Sequence, residues 1–219
     1  MDARKYLAEL VGTFILVVVG SMSIAAAGLV SPPVTPFLVA PFGFGFGLLA
    51  AIQAVGYVSG GHFNPAVTLA ALLDRRIDGM NALGYVVAQV IGAIAASGVV
   101  LVVAGQAAVQ GTASAFPTGG MGTAILVEAL LTAIFVLVIL TVTKRAPNQA
   151  AFSIPLTLVM IHFAGIPFSG ASVNPARSLA PALVGGTLDG NIVVWIIGPL
   201  LGAVIGWAVY RGLEGGAAD

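Results

Sequence analysis

The chain has 219 residues with no net charge; 59% are hydrophobic and only 7% are charged. A water-soluble domain carries about a quarter charged residues, so this composition predicts a polytopic membrane protein. Cysteine is absent, which excludes disulfides, thiolate metal sites and cysteine nucleophiles. With only two histidines, a histidine-built metal centre is not expected either.

The first apolar segment runs from Leu7 to Leu29 and is interrupted only by Glu9. Arg4 and Lys5 before it, and three alanines near its end, resemble the flanks of a secretory signal. The segment is nevertheless longer than a signal core and long enough to cross a bilayer. We therefore expect it to be retained as the first membrane helix.

Further apolar segments follow along the whole chain, separated by breaks rich in glycine, proline, asparagine and charge. Together they predict six full-length membrane helices, at residues 6–29, 36–58, 81–104, 121–143, 150–168 and 191–211.

Basic residues fall almost entirely on one side of this arrangement. Those before span one, after span six and in alternate connections are Arg4, Lys5, Arg75, Arg76, Lys144, Arg145 and Arg211. The connections on the opposite side (30–35, 105–120 and 169–190) hold a single basic residue, Arg177. By the positive-inside rule, this predicts a cytoplasmic-membrane protein with both termini in the cytoplasm.

The chain also contains an internal repeat. A shift of 110 residues aligns residues 59–70 with 169–180, and seven of these twelve positions are identical. A shift of 119 aligns Glu9 with Glu128. One domain over residues 1–219 would thus hold two repeats, 1–104 and 121–211, joined by the 105–120 loop. Because each has three spans, the second must enter the membrane from the opposite side, as an inverted repeat.

Each repeat carries one copy of a short motif: Asn64-Pro65-Ala66 and Asn174-Pro175-Ala176. A single Asn-Pro pair would be taken for a turn, but two copies in inverted halves indicate a shared structure. Asn is a favoured helix N-cap and Pro a favoured first helical residue. The following nine residues, 65–73 and 175–183, would span about 13–14 Å, roughly half of a hydrocarbon core. We predict two half-helices that start near the midplane and together make a seventh crossing.

The segments before the half-helices can run extended, which is tolerated at membrane depth only when protein covers them or they line a water-filled path. Their carbonyls are those of Gly60, Gly61, His62, Gly170, Ala171 and Ser172. Two helix N-termini and two asparagine amides at one midplane repel cations, whereas neutral water can donate and accept there. The pattern predicts a passive path for water.

These residues resemble the aquaporin (major intrinsic protein) family over essentially the whole chain, in the contexts GGHFNPAVTLA and SVNPARS and in the repeated glutamate. The resemblance implies six helices and two half-helices, one pore per subunit, and a homotetramer in the membrane lipid. It also implies a four-residue selectivity filter, matched here by Phe44, His162, Ala171 and Arg177. An aromatic residue with histidine and arginine is similar to the water-selective subgroup, since glycerol-conducting members typically have a small residue at position 162.

Glu9 and Glu128 allow two interpretations. An intramembrane carboxylate is a candidate proton relay. Their equivalent positions in the two repeats favour instead a structural role, in which each accepts hydrogen bonds from the re-entrant backbone, and the family resemblance implies the same.

We therefore expect an all-α membrane channel for water, with no enzymatic activity, cofactor, metal or nucleic-acid partner. Three alternatives stay open: a facilitator of glycerol or another small neutral solute such as ammonia or hydrogen peroxide, an ion-coupled transporter, and a structural role with a vestigial pore. The transporter would need titratable groups at the midplane, and beyond the two glutamates the sequence offers none.

Overall fold

The computed structural model describes residues 2–116 and 118–215. Within them the chain is folded into nine α-helices: α1 Ala3–Leu29, α2 Pro36–Ser59, α3 Pro65–Leu73, α4 Gly79–Ala104, α5 Gln106–Thr112, α6 Gly120–Arg145, α7 Pro147–Ser169, α8 Pro175–Val184 and α9 Val193–Glu214. Six of these (α1, α2, α4, α6, α7 and α9) are long and apolar enough to cross a membrane. The predicted all-α membrane fold is confirmed.

Most helix ends lie within three residues of the predicted spans, because the local signals that set them are strong. Asp78 caps α4, and its side chain accepts from the Asn81 backbone N–H at 3.0 Å. Pro147 opens α7, where a missing N–H costs nothing.

The short helix α5 lies in a segment for which the sequence predicted only a loop. Its position depends on a distant contact, since Gln106 and Gln110 both donate side-chain hydrogen bonds to the Gly185 carbonyl, at 2.6 and 3.0 Å. These bonds satisfy a carbonyl at the end of α8. The local sequence pattern of residues 105–120 does not predict them.

The two halves of the chain pack in the same way. Helix α1 packs against α2 and α4, and α6 packs against α9 and α7, while α2 and α7 join the halves. A Cβ atom at Gly92 would lie 2.2 Å from the Leu10 carbonyl oxygen, and one at Gly202 would lie 2.4 Å from that of Ala129. Glycine at both positions therefore permits the close helix contact that membrane bundles require.

The short helices α3 and α8 begin at the two Asn-Pro-Ala motifs. The Asn64 side chain accepts from the Ala66 N–H at 2.8 Å. Asn174 accepts from Ala176 and Arg177 at 3.1 and 3.3 Å. Each half-helix packs against a helix of the other half, α3 against α9 and α8 against α4, so the two N-termini are brought to the centre of the bundle.

Candidate functional site

The two asparagines cross-link the segments that precede the half-helices. Nδ2 of Asn64 donates to the Val173 carbonyl at 2.7 Å, and Nδ2 of Asn174 donates to the Phe63 carbonyl at 2.9 Å. Each amide uses one hydrogen in this way. Within the described residues its second hydrogen stays available where both asparagines line a cavity.

Glu9 holds the first re-entrant segment through four hydrogen bonds. Its Oε1 accepts from the Ser59 hydroxyl at 2.7 Å and the His62 N–H at 3.0 Å, and its Oε2 accepts from the Phe63 N–H and the Gln89 amide, both at 2.7 Å. The carboxylate is fully buried. It satisfies backbone donors that have no helical partner.

Glu128 does the same for the second segment. It accepts from the Ser169 hydroxyl at 2.7 Å and from the backbone N–H groups of Ser172 and Val173 at 2.8 and 2.7 Å. The geometry of both sites favours the structural interpretation of the paired glutamates over the proton relay.

The backbone of each segment passes through the left-handed region at matching positions. The φ angles are 90°, 68° and 49° at Gly60, Gly61 and Phe63, and 76°, 47° and 45° at Gly170, Ala171 and Val173. Three of these residues carry side chains that disfavour this conformation. The buried carboxylates supply the hydrogen bonds that compensate for the strain.

A cavity of about 350 Å³ extends from Arg177 at one end, past the two asparagines, to Arg76 at the other. The lining residues with polar side chains are Ser59, His62, Asn64, Arg76, Thr143, His162, Ser172, Asn174 and Arg177, and Gly60, Gly61 and Val173 can contribute backbone groups. Aliphatic and aromatic side chains such as Leu16, Leu48 and Phe135 line the rest. Of the six predicted carbonyl positions, Gly60, Gly61, His62 and Ser172 line this cavity, whereas Gly170 and Ala171 do not.

Three of the four predicted filter residues close one end of the cavity, and we call them the constriction: Phe44, His162 and Arg177. The rings of Phe44 and His162 stack with centroids 5.1 Å apart and 17° between their planes. The Arg177 Cζ lies 4.6 Å from the centre of the Phe44 ring. The fourth residue, Ala171, is fully buried in the same apolar cluster as Phe44.

The hydrogen bonding of His162 determines what it presents to the cavity. Its Nδ1 lies 2.9 Å from the Leu158 carbonyl oxygen, which can only accept, so Nδ1 carries the hydrogen. In the neutral ring, Nε2 is then an acceptor. It is buried and has no partner among the described residues, so it can accept from a molecule in the constriction.

The sequence pattern did not identify Arg76 as a site residue, because the positive-inside rule already accounts for an arginine in a cytoplasmic loop. It lies at the far end of the cavity and clamps three elements. Its guanidinium donates to Asp74 at 2.7 Å, to the Thr143 hydroxyl at 2.7 Å, to the Leu140 carbonyl at 3.0 Å and to the Tyr210 hydroxyl at 3.3 Å. The cavity thus has an arginine at each end, and the one at position 76 is paired with the Asp74 carboxylate.

Comparison with known proteins gives a consistent relationship. The family model for the major intrinsic protein matches residues 1–210. The chain is 40% identical over 209 residues to the glycerol uptake facilitator protein-like 6 of Lactiplantibacillus plantarum, which covers 92% of this chain and 94% of the relative. It is 39% identical over 223 residues to aquaporin Z of Photorhabdus laumondii, covering 95% and 96%.

Among solved structures, the aquaglyceroporin from Plasmodium falciparum superimposes with a TM-score of 0.80 at 21% identity, over 98% of this chain and 96% of that one. At this level of identity the similarity concerns the fold.

Proposed function

Because the chain belongs to the major intrinsic protein family, whose members are channels and not enzymes, we propose that it is a passive channel selective for water. The observation that carries the proposal is the constriction. Phe44 and His162 stack against each other and Arg177 lies over Phe44, so two rings and a buried positive charge converge at this part of the cavity, an arrangement that favours a small, neutral permeant.

The path offers water the donors and acceptors that it needs. In the constriction, Nε2 of His162 accepts and Arg177 donates. At the centre, the free hydrogens of Asn64 and Asn174 donate to the water oxygen, and the carbonyls of Gly60 and Gly61 accept its hydrogens. Water can therefore exchange its hydrogen bonds along the cavity without large desolvation cost.

Positively charged groups that repel cations lie at three places along the cavity. Arg177 carries a positive charge without a carboxylate partner among the described residues, Arg76 at the other end is paired with Asp74, and the N-termini of α3 and α8 add partial positive charge at the centre. This arrangement supports exclusion of ions, hydronium included, by electrostatics rather than by size alone.

The proposed orientation follows from the loop charges. Arg76 and both termini face the cytoplasm, and Arg177 faces the outside of the cell membrane. We also propose one channel domain with repeats 1–104 and 121–211, and a homotetramer with one pore in each chain, surrounded by lipid.

Glycerol, or another small neutral solute, is the second candidate. The relative whose name refers to glycerol uptake is 40% identical, and the aliphatic wall of the cavity could contact a carbon backbone. The size of His162 at the constriction argues against it.

Stopped-flow light scattering of vesicles reconstituted with the purified protein separates these functions. We expect rapid shrinkage in an impermeant osmolyte and, in a glycerol gradient, slow re-swelling close to that of protein-free vesicles. Fast glycerol re-swelling with little water flux would overturn the proposal in favour of the second candidate.

A further inference from the structure

We propose that Ser114, in the segment between α5 and α6, positions the Arg177 guanidinium through a directed chain of hydroxyls, and that this sets the free width of the constriction. The inference rests on the proposed function. It adds a specificity-determining residue that no filter position of the sequence includes.

The chain of contacts is short and nearly continuous. Nη1 of Arg177 lies 2.5 Å from the Ser114 hydroxyl, which lies 2.6 Å from the Ser178 hydroxyl. Ser178 lies 2.5 Å from the Ser172 hydroxyl, and that oxygen lies 2.9 Å from the Asn174 carbonyl. The filter arginine is thereby connected to the cap of its own half-helix.

The direction of every hydrogen bond follows from donor counting. The Asn174 carbonyl can only accept, so Ser172 donates its single hydrogen there and must accept from Ser178. Ser178 has then used its hydrogen, so Ser114 donates to Ser178. Ser114 is left with its lone pairs for Arg177, which can only donate. Because all members point the same way, each bond polarises the next.

Burial makes this series of hydrogen bonds important for the position of the Arg177 guanidinium. Arg177 is only 6% exposed, and Ser178 and Ser172 are 1% and 2% exposed. The only side-chain hydrogen bond of Arg177 among the described residues is the one to Ser114. A buried guanidinium without that acceptor would have to find another.

The segment that carries Ser114 is seated on the second re-entrant segment. A Cβ atom at Gly170 would lie 3.1 Å from the Ala115 nitrogen and 3.3 Å from the Ser114 Cα. The absence of a side chain at Gly170 therefore lets the backbone of residues 114–115 approach closely enough for Ser114 to reach the arginine.

The first repeat shows what the pair 172–178 does without an arginine. Its equivalents, His62 and Thr68, contact each other at 3.1 Å from Nδ1 to the hydroxyl. The residue equivalent to Arg177 is Val67. Each repeat thus has one contact between these two equivalent positions, 62 with 68 and 172 with 178. Only in the second repeat does the series of hydrogen bonds continue to Ser114 and the Arg177 guanidinium.

Without the Ser114 oxygen, the acceptor available in the constriction is Nε2 of His162, which has no partner among the described residues. We expect the guanidinium to turn toward it and narrow the path. Water permeability should then fall, with glycerol still excluded.

The matched test compares Ser114→Val with Ser114→Thr, since the two side chains have the same shape and differ in one hydroxyl. In reconstituted vesicles we expect S114V to lower the water permeability per protein roughly tenfold, the effect of losing a charge-assisted hydrogen bond. S114T should keep most of the conduction. Equal permeability of S114V, S114T and the unmodified protein would overturn the inference, as would an equal loss in both variants.

A second readout does not depend on the permeant. In lipid nanodiscs, the guanidinium ¹⁵N–¹H signals of Arg177, identified by their loss in Arg177→Lys, should show slow rotation in the unmodified protein and S114T, and fast rotation in S114V. If the unmodified protein conducts no water, the proposed function fails, and these signals still decide the inference. Identical rotation in all three proteins would refute it.

Discussion

Tyr85 and Trp195 donate equivalent hydrogen bonds from equivalent positions in the two halves of the chain. The Tyr85 hydroxyl bonds to the Ser59 carbonyl and the Trp195 indole N–H to the Ser169 carbonyl, each at 2.7 Å. The two residues are 110 positions apart, the shift that aligns the Asn-Pro-Ala motifs. Two chemically different side chains thus bond to equivalent carbonyls, those of Ser59 and Ser169, each of which ends the long helix before a re-entrant segment.

Replacing Tyr85 with Phe should test this role. The ring is kept, but the partly buried Ser59 carbonyl loses a donor, and we expect the free energy of unfolding to fall by about 1 kcal/mol. Thermal unfolding in detergent measures it. Tyr57→Phe is the control, since Tyr57 is 86% exposed; equal stability of the two variants would contradict the prediction.

Glu128→Gln should distinguish the structural role of the buried carboxylate from a proton relay. An amide presents N–H groups to the donors of Ser172 and Val173, so we expect a loss of stability of at least about 2 kcal/mol. Ser169→Ala, which removes one donor to Glu128 and the acceptor of the Ala171 N–H but leaves the carboxylate in place, should cost about half as much. A stable Glu128→Gln protein with altered proton flux across vesicles would favour the relay instead.

His162→Gly should widen the constriction, because Phe44 loses the ring stacked on it. We expect glycerol permeability to rise about tenfold or more, while water still passes. Re-swelling of vesicles in glycerol gives the rate. Met160→Gly is the control, because it also introduces a glycine into α7 with the same loss of helix stability, but at a side chain that is 63% exposed. It should leave glycerol excluded.

Arg177→Val places in the second repeat the residue that the first repeat has at position 67. A cation about 4 Å from the guanidinium meets roughly 4 kcal/mol of repulsion, which this change removes. We expect cation leak across vesicles to increase while the protein still folds. Arg4→Val removes a positive charge at an exposed helical position away from the cavity lining and serves as control. Unchanged ion exclusion would refute the role given to Arg177.

Arg76→Lys should weaken the clamp at the other end of the cavity. A lysine cannot reproduce the planar set of bonds to Asp74, Leu140 and Thr143, and we expect a loss of about 1–2 kcal/mol in thermal unfolding. The neighbouring Arg75, for which no side-chain hydrogen bond occurs within the described residues, provides Arg75→Lys as the matched control. Similar melting of both variants would show that the clamp contributes nothing.

The sequence predicted the helices and both half-helices well because their signals are local. Long apolar segments leave little choice of structure, and the Asn-Pro pairs at positions 64 and 174 combine a cap with a first-turn residue. The inverted arrangement followed from counting spans between two copies of one motif.

What the sequence did not predict depends on distant side chains whose directions no pattern encodes. Ser114 reads as an ordinary loop serine, yet it meets Arg177 from 63 positions away. Arg76 reads as a topology charge, yet it bonds to residues of α6 and α9. Helix α5 was missed for the same reason, since glutamine bonds to Gly185 hold it in place.

The exchanged hydrogen bonds of Asn64 and Asn174 make the centre of this protein an isologous contact, of the kind found between two identical subunits related by a twofold axis. A dimer of identical half-length chains could form the same contact. It would, however, carry an arginine at both mouths or at neither, because symmetry would copy every substitution. Joining the halves in one chain removes that constraint: position 67 can stay valine while position 177 is arginine, so the two entrances can be tuned independently around a waist that remains symmetric.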